Sequence, residues 1–91
     1  MKLIRTYEPI PNNGRASFYG KCRVREYDDG TRVLESYTTE VIKLNPDGTY
    51  TRLWGHWSMT TGAHIYSFCS IRKKEWDKMQ LGKKYNLSDL K

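Results

Sequence analysis

The fold is decided in residues 54–68, where the sequence reads WGHWSMTTGAHIYSF. Before this stretch, apolar residues alternate with a period of two, as expected of strands. From its second half onward, Ile65, Phe68 and Cys69 follow the i, i+3, i+4 spacing of a helix. The sequence therefore predicts a change from sheet to helix here, in a segment that also contains both histidines and two of the three tryptophans.

A single helix is predicted over residues 58–81. Ser58, Thr60 and Thr61 each suit the N-cap position, and Gly82 suits a left-handed cap at the other end. The apolar stripe of this helix comprises Ile65, Phe68, Cys69, Arg72, Trp76 and Met79. Residues 83–91 then read as a frayed basic tail that Leu87 and Leu90 can dock.

The first hairpin signal is Asp28-Asp29-Gly30, which follows a predicted strand over residues 17–28. A two-residue loop and a three-residue loop are both compatible with it. We favour the three-residue loop, with Gly30 left-handed, because it gives complementary cross-strand pairs. These pairs are Glu26 with Arg32, Val24 with Leu34, and Arg23 with Glu35.

The second strand is predicted over residues 31–44, with a bulge within 35–39 or partial cover on both faces to explain its imperfect alternation. Asn45-Pro46-Asp47-Gly48 is a strong turn signal. Closing this turn pairs Val41 with Leu53 and Tyr37 with Trp57, which makes residues 49–57 the third strand.

The predicted fold class is α+β: an antiparallel meander of three strands, followed by one C-terminal helix packed on the sheet. Residues 1–7 provide a candidate fourth strand, which Pro9 would end. Ninety-one residues suffice for one core, so we expect one domain over residues 1–91, with the sheet in 16–57, the helix in 58–81 and the basic tail in 83–91.

Hydropathy favours a cytoplasmic protein. No apolar run approaches the roughly 20 residues of a membrane span, and the N-terminus is charged within its first five residues. Cys22 and Cys69 are far apart in the sequence, so we expect two buried, reduced thiols rather than a disulfide. The cysteines and the histidines are scattered, so we predict no metal, no cofactor and no enzymatic activity.

The net charge of +6 favours an acidic partner, with nucleic acid first among them. One face of the strand 17–28 alternates cations with tyrosines, in the manner of a platform for single-stranded nucleic acid. The alternative is a solvent face whose arginines pair with Glu35. The predicted nucleic-acid-binding residues are Tyr19, Lys21, Arg23, Arg25, Tyr27, Lys73 and Lys74.

The start of the predicted helix is a candidate anion site. Backbone N–H groups are available at a helix N-terminus, and Thr60, Thr61, Gly62 and His64 surround this one. The alternative is that a threonine simply caps the helix.

Part of the chain resembles a family of small uncharacterised proteins from bacteriophages and the gut bacteria that carry them. The resemblance rests on SYTTEV at residues 36–41, the glycine turn, and a W-S-x-T-T-x-x-H-I-x-x-F pattern at residues 57–68. Residues 18–21, FYGK, add to it. The resemblance implies a phage or prophage accessory gene and a strand–turn–helix core, with no established activity.

Two functional hypotheses follow. The first is a non-enzymatic accessory protein that binds nucleic acid through the basic strand face and the basic helix. The second is a protein-binding factor, for example an inhibitor of a host defence nuclease, or a self-assembling protein such as a homodimer. Either would act in the cytoplasm of the host cell and without a membrane.

Overall fold

A computed structural model describes residues 2–9 and 20–90 of the chain, and the fold it shows is α+β, as predicted. The described residues form one six-stranded antiparallel sheet, in the order β1 to β6, and three helices. The strands are β1 (Leu3–Tyr7), β2 (Cys22–Tyr27), β3 (Arg32–Ser36), β4 (Thr39–Leu44), β5 (Tyr50–Arg52) and β6 (Lys84–Tyr85); the helices are α1 (Met59–Cys69), α2 (Lys73–Trp76) and α3 (Leu87–Leu90). The prediction of three or four strands with one C-terminal helix was therefore wrong in its element count.

The β2–β3 hairpin has the three-residue loop that the sequence favours. The Tyr27 N–H donates to the Thr31 carbonyl at 2.9 Å, and Gly30 is left-handed with φ of 94°. Glu26 then lies opposite Arg32, Val24 opposite Leu34, and Arg23 opposite Glu35. The predicted register is confirmed, because the loop and the cross-strand pairs favour the same alignment.

The long strand predicted over residues 31–44 is wrong, because the chain reverses at Tyr37 and Thr38 and forms a β3–β4 hairpin. Tyr37 is left-handed, with φ of 57°, a conformation that the local sequence does not signal. A bulge does occur, but its extra residue lies beyond the predicted residues 35–39: Leu34 opposes Ile42 while Glu35 opposes Glu40, so Val41 is extra on β4. It allows the neighbours Val41 and Ile42 both to be buried.

The β4–β5 turn keeps its predicted register, since the Leu53 N–H donates to the Val41 carbonyl at 2.9 Å. The strand itself ends at Arg52, so the predicted pairing of Tyr37 with Trp57 is wrong. Trp57 instead packs against Trp76, with the ring centroids 6.0 Å apart.

The helix predicted over residues 58–81 is also wrong, because it is broken after Cys69. Ser70 takes the left-handed conformation, and its N–H donates to the Tyr66 carbonyl at 2.8 Å. The Glu75 carboxylate then accepts from the Arg72 N–H at 3.0 Å and begins α2. Gly82 is left-handed as expected, but α2 has already ended, and the Gly82 N–H donates to the Arg52 carbonyl at 2.9 Å.

Residues 84–90 are part of the fold, whereas the sequence suggested a frayed tail. β6 pairs with β5, which places Lys84 opposite Thr51 and Tyr85 opposite Tyr50. Leu90 is buried in the core and Leu87 packs against that core, so their predicted docking role is confirmed.

The core lies between the helices and one face of the sheet, which we call the inner face. Its buried residues are Cys22, Val24, Leu34, Val41, Ile42, Ile65, Cys69, Ile71, Trp76, Met79 and Leu90. Arg52 joins β5 to the turn after α2: its guanidinium donates to the carbonyls of Trp76 and Met79, at 3.0 Å each, and stacks on the Trp76 ring. None of the described helices is both long enough and apolar enough to span a bilayer.

Candidate nucleic-acid interface

The opposite face, which we call the outer face, carries a row of cations across the sheet. Residues paired directly across antiparallel strands point to the same side. The row that runs through the outer face from β1 to β6 is Thr6, Arg25, Val33, Lys43, Thr51 and Lys84. Its three cations stand on alternate strands, so their Cα atoms are about 10 Å apart from one to the next.

The predicted basic face of β2 coincides with this outer face. Cys22 and Val24 are buried on the inner side, whereas Lys21 and Arg23 are exposed and Arg25 is partly exposed. Tyr27, also predicted, is partly buried at the end of the strand. Tyr19 lies outside the described residues.

Two carboxylates, one on β3 and one on β4, pair with the arginines of β2. Glu35 approaches the Arg23 Nε at 3.4 Å through Oε1 and the Arg25 Nη1 at 3.1 Å through Oε2. Glu40 pairs with the other terminal nitrogen of Arg25. The arginines of this face therefore pair with Glu35, which is the alternative that the sequence leaves open, and Arg25 also pairs with Glu40.

A second ionic cluster lies on the other side of the same strands. Glu26 accepts from Arg5 and Arg32, and Arg5 also stacks on the Tyr7 ring at 4.5 Å. The hydrogen bond from Arg5, with the two positive charges, holds the pKa of the Glu26 carboxyl below its usual range.

The predicted residues Lys73 and Lys74 belong to a different surface. Both are exposed on α2, which packs against the inner face through the buried Trp76. Lys73 pairs with Asp77 at 2.8 Å, an i, i+4 contact along the helix. The sheet therefore separates them from Arg23 and Arg25, and the two predicted basic surfaces are not continuous.

The four residues predicted as an anion site surround the start of α1. Ser58 is the N-cap: its hydroxyl accepts from the Thr61 N–H at 3.1 Å, and its carbonyl accepts from the Gly62 N–H at 2.7 Å. Gly62 is buried beneath the Trp57 ring, and Thr60 is partly buried. Two of the backbone donors are thus already used inside the chain.

The side chains of Thr61 and His64 point toward the sheet. The Ser36 hydroxyl lies 2.9 Å from the Thr61 hydroxyl and 2.8 Å from the His64 Nδ1, and all three residues are buried. This cluster joins the first turns of α1 to the end of β3. These hydrogen bonds give the side chains of Thr61 and His64 a structural role. Nothing in the structure tests anion binding at the start of α1, so the anion site stays a prediction.

Both cysteines are buried thiols, as expected from the sequence. Burial raises the pKa of the Cys22 thiol to about 12, because an anionic sulfur would lose its hydration. Within residues 2–9 and 20–90, no three His, Cys, Asp or Glu residues are grouped in a way that suits a metal ion.

Sequence reasoning missed three residues of the outer face: Glu40, Lys43 and Lys84. Lys43 was present in a predicted strand, but the undetected turn at Tyr37 hid its position beside Val33 and Arg25. The sequence prediction places Lys84 in the basic tail. A sequence signal exists for Lys43, since it alternates with the apolar residues Ile42 and Leu44, whereas no local pattern indicates the position of Lys84.

These features define a class: a small α+β domain with helices on one face of a six-stranded meander and a cation-bearing outer face. The chain belongs to a family of unknown function, DUF8033, whose model matches residues 6–83. A search of curated proteins found no match, and neither did a search of solved structures.

Proposed function

We propose that this protein is a small, non-enzymatic accessory protein that binds nucleic acid through the outer face of its sheet. The row of Arg25, Lys43 and Lys84 across alternate strands carries this proposal. Cations at regular intervals along one surface suit the repeating negative charge of a phosphate backbone. The net charge of +6 supports the same partner.

Lys21 and Lys43 are the cations best placed to contact phosphates. Neither forms a salt bridge with any residue in the described ranges, so neither must break one to bind. Strand alternation places the partly buried Tyr27 on the same face of β2 as Arg25, where a base could stack on its ring. A sheet face that carries cations and an aromatic ring is suited to single-stranded nucleic acid, because its bases are exposed and can stack.

A charge-reversal experiment tests this proposal. The variant Lys21→Glu/Lys43→Glu changes the outer face, and the control Lys74→Glu/Lys83→Glu makes the same charge change elsewhere. We expect the first to weaken binding of a labelled single-stranded oligonucleotide by about tenfold or more at low salt, and the control to weaken it far less. Fluorescence anisotropy at two salt concentrations measures this, and circular dichroism checks the folding of each variant.

Two results would contradict the proposal. One is an unaltered protein that shows no binding to single-stranded or duplex DNA or RNA at low salt. The other is an equal loss in both double variants, because binding would then follow net charge rather than the outer face.

The second candidate is a protein-binding accessory factor, and the edge strand β1 favours it. Leu3 and Ile4 on this strand are 47% and 56% exposed. An edge strand with apolar side chains can pair with a strand of another chain, either a second copy or a host protein such as a defence nuclease. If the second copy is the partner, Ile4→Lys should abolish self-association measured by sedimentation velocity. If a nuclease is the partner, the same substitution should abolish inhibition of the purified nuclease. Both versions are excluded if the unaltered protein is monomeric and does not inhibit the nuclease.

The proposed setting is a phage or prophage gene product acting in the cytoplasm of the host cell. The resemblance of residues 36–68 to phage proteins supports it. Cell fractionation during infection or prophage induction, with detection by antibody, would test this setting. Recovery of the protein outside the cytoplasmic fraction would contradict it.

A further inference from the structure

A series of connected ion pairs on the outer face holds the guanidinium groups of the two arginines of β2. Arg23 pairs with Glu35, Glu35 pairs with Arg25, and Arg25 pairs with Glu40. Arg25 stands at the centre, because its guanidinium contacts both carboxylates through different nitrogens. In this arrangement both of its terminal nitrogens donate to acceptors within the chain.

The position of Arg25 has a physical cause. Glu35 and Glu40 are direct partners across the β3–β4 hairpin. Like charges placed opposite each other on adjacent strands repel. Arg25, on β2, reaches both and offsets that repulsion, which a guanidinium can do because its planar fork presents several donors at once.

The two carboxylates differ in how firmly they are held. The Glu35 side chain is 16% exposed and contacts two arginines, whereas the Glu40 side chain is 54% exposed and contacts one. Exposed ion pairs are weak and easily exchanged, since water and salt replace them at little cost. Glu40 is thus the replaceable partner of Arg25, and Glu35 is the fixed one.

We infer that Glu40 occupies the place of a ligand phosphate on Arg25 and leaves it on binding, while Glu35 stays and orients both arginines. This rests on the proposed nucleic-acid-binding function and names the residues that regulate it. A phosphate oxygen accepts from a guanidinium N–H as a carboxylate oxygen does, so a backbone phosphate can replace Glu40 on the Arg25 Nη2 while Glu35 keeps Nη1. Glu40 is then an internal competitor, and Glu35 is a positioning residue.

Two substitutions that remove the same charge from the same face should have opposite effects. Glu40→Gln removes the competitor and should tighten binding of a single-stranded oligonucleotide about two- to fivefold, the value of an exposed ion pair. Glu35→Gln removes the anchor of Arg23 and Arg25 and should weaken binding. The control Asp89→Asn alters the net charge equally on α3, and circular dichroism confirms the fold of each variant.

The salt dependence and the arginine NMR signals test displacement directly. If Glu40 leaves on binding, the number of phosphate contacts is the same with and without it, so plots of log K against log salt should be parallel. The Arg25 Nε–Hε resonance should shift on Glu40→Gln substitution before any ligand is added. It should shift again when the oligonucleotide is added to the unaltered protein.

The outcomes separate this inference from the proposed function. Binding by the unaltered protein that Glu40→Gln leaves unchanged overturns the inference and leaves the function standing. A steeper salt slope in Glu40→Gln also overturns it, because Arg25 would then stay paired to Glu40 in the complex. Tightening in both glutamine variants would show a charge effect alone, and no binding by any variant would overturn function and inference together.

Discussion

Gly62→Ala should destabilise this protein, although the same change in most helices stabilises. Gly62 lies in the first turns of α1, beneath the ring of Trp57. A Cβ at this position would lie 2.8 Å from Cε2 and 3.0 Å from Cη2 of that ring, and nearer still to Cζ2. Normal carbon–carbon contacts begin at about 3.5 Å, so the ring must move.

The expected magnitude is the difference between two effects. Alanine is favoured over glycine in a helix by about 1 kcal/mol, because glycine loses more backbone freedom on folding. Inserting a methyl group into a packed site costs about 1–3 kcal/mol. The ring of Trp57 is also held against Trp76, so we expect the steric cost to fall in the upper part of its range and to exceed the gain, with a net loss of up to about 2 kcal/mol.

A double-mutant cycle with Trp57→Leu isolates the steric cost. Trp57→Leu removes the ring that the new methyl group would contact, so Gly62→Ala in that background should stabilise by about 0.5–1 kcal/mol. Urea unfolding followed by circular dichroism gives the four free energies of unfolding. In thermal unfolding, each kcal/mol corresponds to about 4–8 °C for a domain of this size.

A higher melting temperature for Gly62→Ala in the unaltered background would refute the reasoning. So would equal effects of the substitution with and without the Trp57 ring, because the two positions would then not be coupled. Either result would mean that the close approach of glycine and tryptophan is not what selects glycine at residue 62.

Three further predictions concern named contacts. Arg52→Ala should lower the free energy of unfolding by about 2–4 kcal/mol, and Arg52→Lys by less, because three backbone carbonyls lose a charged donor; urea unfolding showing no loss would contradict this. The pKa of the Glu26 carboxyl is lowered in the folded state, so its ion pairs stabilise the protein fully above the unfolded-state pKa, and this stabilisation is lost as pH falls through the folded-state pKa. Glu26→Gln should therefore reduce the pH dependence of the free energy of unfolding below about pH 5, and an unchanged pH dependence would count against the ion pairs. The pKa of Cys22 is raised to about 12, so iodoacetamide at neutral pH should alkylate it far more slowly than a free thiol, and stability should fall as pH rises above the unfolded-state value; mass spectrometry showing rapid labelling would refute the burial argument.

The parts of the fold that the sequence predicted correctly are those with local causes. Gly30 and Gly48 occupy left-handed positions in their turns, and the hairpin registers follow from these turns and from complementary cross-strand pairs. Ser58 was one of three candidate N-caps and is the one used. Each of these outcomes depends on residues within a few positions of one another, so a local pattern suffices to predict it.

Two of the errors occur where a residue other than glycine is left-handed. Tyr37 makes the β3–β4 turn and Ser70 ends α1, and both have positive φ. This conformation costs about 1–2 kcal/mol for an L-residue, so nothing local favours it. Contacts between residues distant in sequence compensate for this cost. Beside Tyr37, the Ser36 hydroxyl is hydrogen-bonded to Thr61 and His64, and directly after Ser70 the side chain of Ile71 is buried in the core.

The sequence by itself determined the alternation on β2, with Cys22 and Val24 inward and the cations outward, because strand geometry has a period of two. It also determined that Glu35 faces Arg23, through a hairpin whose register is local. Only the tertiary structure decided that Glu40 reaches Arg25 and that Lys84 completes the outer row. Those neighbours come from strands brought together by the turn at Tyr37 and by the return of the chain after α2, and such pairings depend on burial of a shared core rather than on any nearby residue.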